Sequence, residues 1–562
     1  MNRQQKKMSR REFVRTMAAG AAGTMVLSVG VPSLFAATPR RGGVVKCGMS
    51  FLIQTPDPHR RNGAWARQDA ALAWEGLVDP ISLGERFRIA AEKGAENVPE
   101  IKPMLADSWD IENNGARYVF HLKKGVKFHD GKEFDSGDVK WNWERIRDPA
   151  HFAAARKSMA QYIESIETPD RYTAVANLTQ PYAGFLMGNA WVNAPMMPKD
   201  CIPYGKNFGQ GDHKSDRAAP PGTGPFEMVE FKQNDKAVFK AHKDYRIPGL
   251  PYLDGVEFLV VKDQPRTLAL RSGDLHYIYG VLDDYFATLF KNKKLYQTFE
   301  ADNLMFYPWL FNETLTIYLN CHPTKGNSPF KDEKVRQALS LAIDRKGLAQ
   351  ALYGNRGIPA VQGFLPEESI WGFDNIKVPA QDIAKAKQLL KEAGYSDGLE
   401  VEFAITPTFG KNDQMAQIVQ QMVRPAGFRV KILSQMGLQY WSHLVKMDYQ
   451  MMVFHTGGDD PMSRYYGFLH TDNTKTTQGY SFGSAVKDPE MDRMLDDMAA
   501  EIDVMKRREK FKEIVLRTKE KAYFLPYMRY ALANGWSKKV KNFHPENYYI
   551  AEQAFREAWL ES

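Results

Sequence analysis

The stretch KKGVKFHDGKEFDSGDVKW, Lys123 to Trp141, gathers His129, Asp130, Glu133, Asp135 and Asp138 within thirteen residues. Imidazole and carboxylate groups this close together suit two kinds of chemistry. They can ligate a metal ion, or they can form a general acid–base pair. A metal site needs its donors to converge within about 2–2.5 Å of one point. An HxH or HxxxH spacing, or an acidic calcium loop, would achieve this, and the stretch contains none of them.

The elements that carry these groups give each acid a local role. Tyr118, Phe120 and Leu122 alternate with Arg117, Val119, His121 and Lys123, the pattern of a half-buried strand. Lys124-Gly125 interrupts it, and Val126 and Phe128 resume the inward face. Asp130-Gly131 is a turn signal. Asp135 with Asp138 three residues on has the spacing of a capping box at a helix start. Val139, Trp143 and Ile146 follow at helical spacing as the buried face. His129 and Asp130 are neighbours in extended chain, which points them to opposite sides. The stretch therefore reads as strand, turn and capped helix, with no metal site.

The rest of the chain narrows the function classes. At 562 residues it can bury a large core and hold more than one domain. Its composition, 43% hydrophobic and 25% charged, is that of a folded protein. Residues 1–37 read as a twin-arginine export signal. Arg10 and Arg11 precede Phe13 and Val14, a small-residue, mildly apolar stretch follows, and cleavage is expected near Ala36/Ala37. This segment carries Arg3, Lys6, Lys7, Arg10, Arg11 and Arg15 against Glu12, so its net +5 leaves +3 of the chain's +8 for the remainder. Such a balance is not that of a nucleic-acid-binding protein. Cys47, Cys201 and Cys321 form no CxxC, so at most one disulfide is possible and three free thiols are equally compatible. No HExxH motif is present, and no cofactor motif. Neither a catalytic site nor a cofactor is expected.

Further along, Arg67–Val78 reads as a helix with Ala70, Ala73, Trp74 and Leu77 on one face, and 85–100 as a polar loop. FKDEKVRQALSLAIDRKGLAQALYG reads as one helix with a stripe of Val335, Ala338, Leu339, Ala342 and Ile343. LEVEFAI, a helix over 411–424, FRVKIL, a helix over 439–446 and YQMMVF give β-α-β-α-β, expected to be a parallel, right-handed arrangement.

A run of motifs in fixed order then resembles a known family. MLADSWDIENNGARYVFHLKKGVKFHDGKEFDSGDVKWNWERI, PGTGPFEMVEF, YRIPGLPYLDGVEF, TLALRSGDL, PFKDEKVRQALSLAIDR and AKQLLKEAGY are similar to the family 5 extracellular solute-binding proteins, the peptide/nickel-type receptors of ABC importers. The likeness covers residues 42–530. It implies an α/β fold, the two-lobe periplasmic-binding-protein fold of cluster C type, with a hinge and an extra inserted domain in lobe I. Lobe I would comprise 38–78, 207–312 and 526–562, the inserted domain 79–206, and lobe II 313–525. The hinge strands would lie near Thr314–Asn320 and Phe524–Tyr530. A monomer is expected that captures a small ligand in an interlobe cleft and delivers it to the permease subunits of an ABC transporter. The twin-arginine translocase would be its partner during export, and its location would be the periplasm. The ligand would be a peptide or peptide-like amino compound. The alternatives are an oligosaccharide, an opine-like compound or a metal chelate, or a sensory ligand-presenting role.

Candidate ligand residues follow from the same likeness. Trp441 matches a tryptophan that lines the family's cleft, although a tryptophan on an amphipathic helix also suits the core. Phe454, His455 and Thr456 end a parallel strand at its carboxyl edge, where open α/β sheets present ligands. His455 there suits a polar pocket wall rather than a metal site. Peptide-binding members hold the ligand ammonium with an aspartate four residues before a proline; here Gly457 stands four before Pro461, and Gly458 follows. Aligned from the preceding strand, Asp459 takes that place, with Asp460 beside it, and both also suit a turn before proline. Tyr279 and Gly280 stand where members often carry polar groups, and a tyrosine offers a ring face and a hydroxyl. Arg60, Arg61 and Trp65 lie in PDPHRRNGAWAR, where an arginine either grips a ligand carboxylate or is a solvated charge.

Overall fold

Val44–Met49 opens the first sheet, with Val45, Cys47 and Met49 inward. The computed structural model to which it belongs describes residues 38–50, 55–61, 69–81, 101–148, 151, 159–190, 193–202, 208, 216–281, 284–290, 293–311, 313–324, 326–360, 363, 365, 369–373, 375–407, 411–457, 461–471, 486–544 and 551–561. The export signal expected over 1–37 and the loop expected over 85–100 lie outside them. The chain forms two compact units, Met1–Trp309 with Leu532–Ser562, and Leu310–Ala531.

In the first unit, Val44–Met49 pairs in parallel with Gly255–Val260 on one side and Tyr277–Val281 on the other. The helix Asp263–Ser272 links those two partners and ends at Gly273, whose φ of 89° suits a residue without Cβ. Lys236–Ala241 and Phe226–Lys232 extend the sheet antiparallel beyond Gly255–Val260.

A second sheet of the same unit is antiparallel, in the order Ala106–Glu112, Arg117–Leu122, Thr173–Leu178, Ile163–Asp170. Tyr118, Phe120 and Leu122 are buried as the alternation requires. Val119 is also covered, because it pairs directly with Val175 and the two form a small apolar patch on the other face. Ser136–Arg147 is the expected helix. Asp135 Oδ1 accepts from the Gly137 and Asp138 N–H groups, and Asp138 Oδ2 accepts from Asp135 N at 2.8 Å, which completes the capping box. Val139, Trp143 and Ile146 are fully buried, and Trp143 packs edge-on against Phe120 and Phe185.

Two helix expectations are corrected. The helix expected over Arg67–Val78 is a single turn, Ala70–Ala73. Trp74 is extended (φ −125°, ψ 139°) and its Nε1 donates to Pro220 O at 3.1 Å. The loop carrying Gly222 and Gly224 presses so close to this turn that a Cβ on Gly222 would stand 1.9 Å from Ala73 O. Tertiary contact with that loop therefore replaces the next helical turn. The long helix expected from Val335 onward is two helices, Glu333–Ala342 and Arg345–Tyr353. Ile343 is extended, and Asp344 accepts from Lys346 N to cap the second helix, so an aspartate that competes for backbone N–H breaks an otherwise continuous stripe.

In the second unit, Leu399–Ile405 pairs in parallel with Phe428–Ser434 and with Met451–Gly457. The helices Asn412–Val423 and Gly437–Lys446 connect them, as the β-α-β-α-β pattern requires. Glu313–Leu319 then pairs antiparallel with Met451–Gly457 and with the Phe524–Met528 part of the last long strand. The helix Ile383–Glu392 is followed by Gly394 at φ 91°. The three cysteines are free, with Cys47 and Cys321 buried.

Candidate functional site

The stretch from Lys123 to Trp141 is a scaffold. His129 Nδ1 accepts from Gly222 N at 3.1 Å, so the proton sits on Nε2, which donates to Gly224 O at 3.1 Å. Burial, helped by the neighbouring His242, holds its pKa down to about 3, so the ring is neutral. Asp130 accepts from Lys132 N in the turn, where Gly131 has φ 83°. Glu133 accepts from Arg171 and from the Tyr172 hydroxyl. Asp138 accepts from Lys199 N as well as capping the helix. Among the described residues no group of three His, Cys, Asp or Glu side chains is placed to hold a metal ion.

Phe454, His455, Thr456 and Gly457 form the carboxyl end of the strand Met451–Gly457. Phe454 and His455 are successive residues of Met451–Gly457, opposite Thr316 and Leu315 of the neighbouring strand, so they project to opposite faces. Phe454 packs edge-on against Tyr318 at 6.0 Å. His455 looks toward the helix Asn412–Val423, where Asn412 Oδ1 stands 3.5 Å from its Nε2. Asn412 Nδ2 already donates to Thr406 O, which orients the amide and makes its Oδ1 the acceptor. Burial holds the His455 pKa down to about 4, so it is a neutral hydrogen-bonding group near neutral pH. Thr456 pairs with Thr314, and Gly457 with Glu313. Among the described residues, Thr314 Oγ1 and the Tyr527 hydroxyl are buried without a hydrogen-bond partner. Trp441 lies on the helix Gly437–Lys446, directly after Tyr440, whose hydroxyl donates to Val453 O. Gly458, Asp459 and Asp460 fall outside the described residues.

In the first unit, Arg60 and Arg61 follow Val44–Met49, and Tyr279 and Gly280 lie on the parallel strand beside it. Gly280 has φ 65° where the pairing with the last long strand shifts register, and its N–H donates to Asn534 Oδ1. Tyr279 is buried against Trp309, with ring centroids 5.7 Å apart. Arg60 is half-buried in the short turn Pro58–Arg60. Arg61 is buried instead of solvated: Nη1 meets both Asp69 oxygens at 3.2 Å, Nε donates to Thr55 O, and the guanidinium lies over the Trp74 ring at 5.0 Å. Its charge is thus answered within the protein. Trp65 lies outside the described residues.

Sequence reasoning missed the buried network beneath this edge. Asp57 accepts from Arg145 Nη1 and Nη2 and from Phe208 N, and Arg145 Nη1 also meets His59 Nδ1 at 2.8 Å. Burial would raise the Asp57 carboxyl, but the Arg145 guanidinium, with His59 and the Phe208 N–H, outweighs it and holds the pKa below its ordinary value. The PDPH stretch signalled a turn and gave no sign of a partner 88 residues away. Asn412 was also missed; its one signal was its place just after a strand, at the start of a helix.

The sequence model of the bacterial extracellular solute-binding proteins, family 5 Middle, matches residues 100–476, more than half of the chain. The glutathione-binding protein GsiB of Escherichia coli O1:K1 / APEC is 29% identical over 391 residues, 69% of this chain and 68% of that protein. Among solved structures, DppA from Helicobacter pylori, in complex with the peptide STSA, has a TM-score of 0.75 at 24% identity, covering 93% of this chain and 99% of its own. AgaA from A. tumefacien R10, in complex with agropinic acid, has a TM-score of 0.74 at 23% identity, covering 92% and 99%. The fold is that of a periplasmic binding protein. The chain belongs to the bacterial extracellular solute-binding proteins of family 5. It is a solute-binding protein, of a family of transporter-associated binding proteins. Among the described residues no helix is long and apolar enough to cross a membrane.

Proposed function

We propose that this protein captures a peptide-like amino compound, the class to which glutathione belongs, and presents it to the permease of an ABC importer. The observation that carries the reading is the family match over residues 100–476, joined to a relative that binds glutathione. The carboxyl edge of the second unit's parallel strands supports it chemically. His455 is neutral and hydrogen-bonding, Phe454 offers a ring, and the hydroxyls of Thr314 and Tyr527 are buried without partners among the described residues. A bound solute must have its own polar groups satisfied once it leaves water, and such neutral groups do that without burying a second charge. Trp441, Thr456, Gly457, Gly458, Asp459 and Asp460 complete this set, and Arg60, Tyr279 and Gly280 form a second one at the strand ends of the first unit.

Calorimetric titration with glutathione and a panel of di- and tripeptides tests this reading. At least one compound should bind saturably at one site per chain. Trp441→Ala should weaken that binding about tenfold or more, about 1.4 kcal/mol. Unchanged affinity in a folded Trp441→Ala protein removes Trp441 from the site.

The reading includes the lobes and inserted domain at the boundaries expected from sequence, a monomeric state, no catalysis, and export through the twin-arginine route with cleavage near Ala36/Ala37. Replacing Arg10 and Arg11 by lysines should leave the precursor in the cytoplasm; normal export of that variant argues against the route.

A further inference from the structure

Arg345 begins the helix Arg345–Tyr353 and is 2% exposed. Each hydrogen bond of its guanidinium goes to a neutral acceptor. Nε donates to Pro526 O at 2.9 Å, Nη1 to Ser340 O at 3.0 Å and Nη2 to Ser340 Oγ at 3.1 Å. A guanidinium has five N–H donors, so two remain. Among the described residues no carboxylate pairs with it; the adjacent Asp344 caps the helix instead. Lys519 approaches the same place. Its ammonium donates to Lys377 O, again a neutral carbonyl, and no acid pairs with it among the described residues. Burial, and then the charge of Arg345, lowers its pKa, while burial holds Arg345 down to about 10. Among the described residues these two cations are thus held together without an anion, an arrangement that costs stability unless a counter-charge is supplied.

Both side chains line one cavity of about 30 Å³, with Ser340, Thr518, Phe524 and Pro526 among its walls. That is roughly the room of two ordered waters. The cavity is open on one side, so a small ion can enter with part of it facing solvent. Ser340 Oγ accepts from Arg345, which leaves its own hydroxyl hydrogen free to donate. Thr518 is committed differently, donating to Ile514 O at 2.7 Å.

We propose that this cavity is an anion site that takes a small inorganic oxyanion of the phosphate or sulfate class. The spare Nη1 and Nη2 hydrogens of Arg345 donate to it, charge-assisted hydrogen bonds of the kind guanidinium makes to oxyanions. Lys519 supplies the second charge, and the Ser340 hydroxyl a third kind of donor. Phe524 and Pro526 keep water off one side and strengthen the attraction. The occupant braces the start of Arg345–Tyr353 against the end of the helix Val504–Lys521.

Thermal unfolding of the full exported chain, titrated with sodium phosphate at ionic strength held constant with sodium chloride, tests the site. The wild-type melting temperature should rise and saturate. Lys519→Ala should shift half-saturation about tenfold higher, and Arg345→Gln should abolish the response. If Arg345→Gln does not fold, Lys519→Ala decides. A rise that never saturates and is equal in wild type and Lys519→Ala is the general effect of excluded salts and overturns the proposal. A response to chloride but not to phosphate overturns it as well. In crystals soaked in selenate, an anomalous peak should stand beside Arg345 and Lys519, and its absence contradicts the site.

Discussion

His129 illustrates how a residue that could do chemistry is spent on architecture. Its ring is a neutral clamp that bonds Gly222 N on one side and Gly224 O on the other. Its pKa near 3 lies below the value of 6.5 for a free histidine. The unfolded chain therefore takes up the proton first. The contribution of His129 to stability is fully present above about pH 6.5 and is lost as pH falls toward 3. His129→Ala combined with Asp130→Asn should lower stability by about 1–3 kcal/mol at pH 7.5. The deficit should shrink by pH 5 in urea unfolding, with metal content and ligand affinity unchanged. Loss of a bound metal, or a deficit that grows at pH 5, contradicts the clamp. The sequence offers no metal-ligand spacing in this stretch. It could not name the clamp's partners, which lie more than 90 residues away in a loop legible only as Gly/Pro-rich. The burial of Arg61 was not legible for a similar reason: its partner Asp69 is near in sequence, but burial of the pair depends on Trp74 and the fold around it.

At the scale of elements, local chemistry was legible wherever the determinant was local. The capping box of Ser136–Arg147 is written in Asp135 and Asp138 and formed as expected. Asp135→Ala should cost about 1–2 kcal/mol, while Asp135→Asn keeps most of the cap. Equal losses for the two, measured by denaturant midpoint, would show that the cap oxygen is not what holds this end. Elements were misjudged where a distant contact or a competing cap intervened. The apolar face of Arg67–Val78 has helical spacing, but the close approach of Gly222 and the Trp74–Pro220 bond end the helix after one turn. The stripe from Val335 to Ile343 also has helical spacing, yet Asp344 restarts the helix. An aspartate inside a helical stripe is a break signal that periodicity counting overlooks.

At the scale of the whole molecule, family membership was legible because its motifs are turns, caps and close approaches that the fold requires. The loop PGTGPF is an example: Gly222 and Gly224 have no room for a Cβ beside Ala73 and Leu72, and Trp74, Glu75 and His129 fasten it. The candidate site was less legible. Phe454 and His455 are adjacent in sequence and face opposite ways, and the groups that orient His455 come from another strand-to-helix connection. Ligand choice rests on such side chains, which no scaffold motif dictates. The central claim is that this chain carries a solute and performs no turnover of it. Native mass spectrometry of the purified protein tests that claim most directly. One small peptide-like compound should remain bound at one copy per chain, exchange for added glutathione or a short peptide, and leave chemically unchanged. A protein that shows no bound mass with any member of that panel, or that converts the compound it binds, contradicts the account.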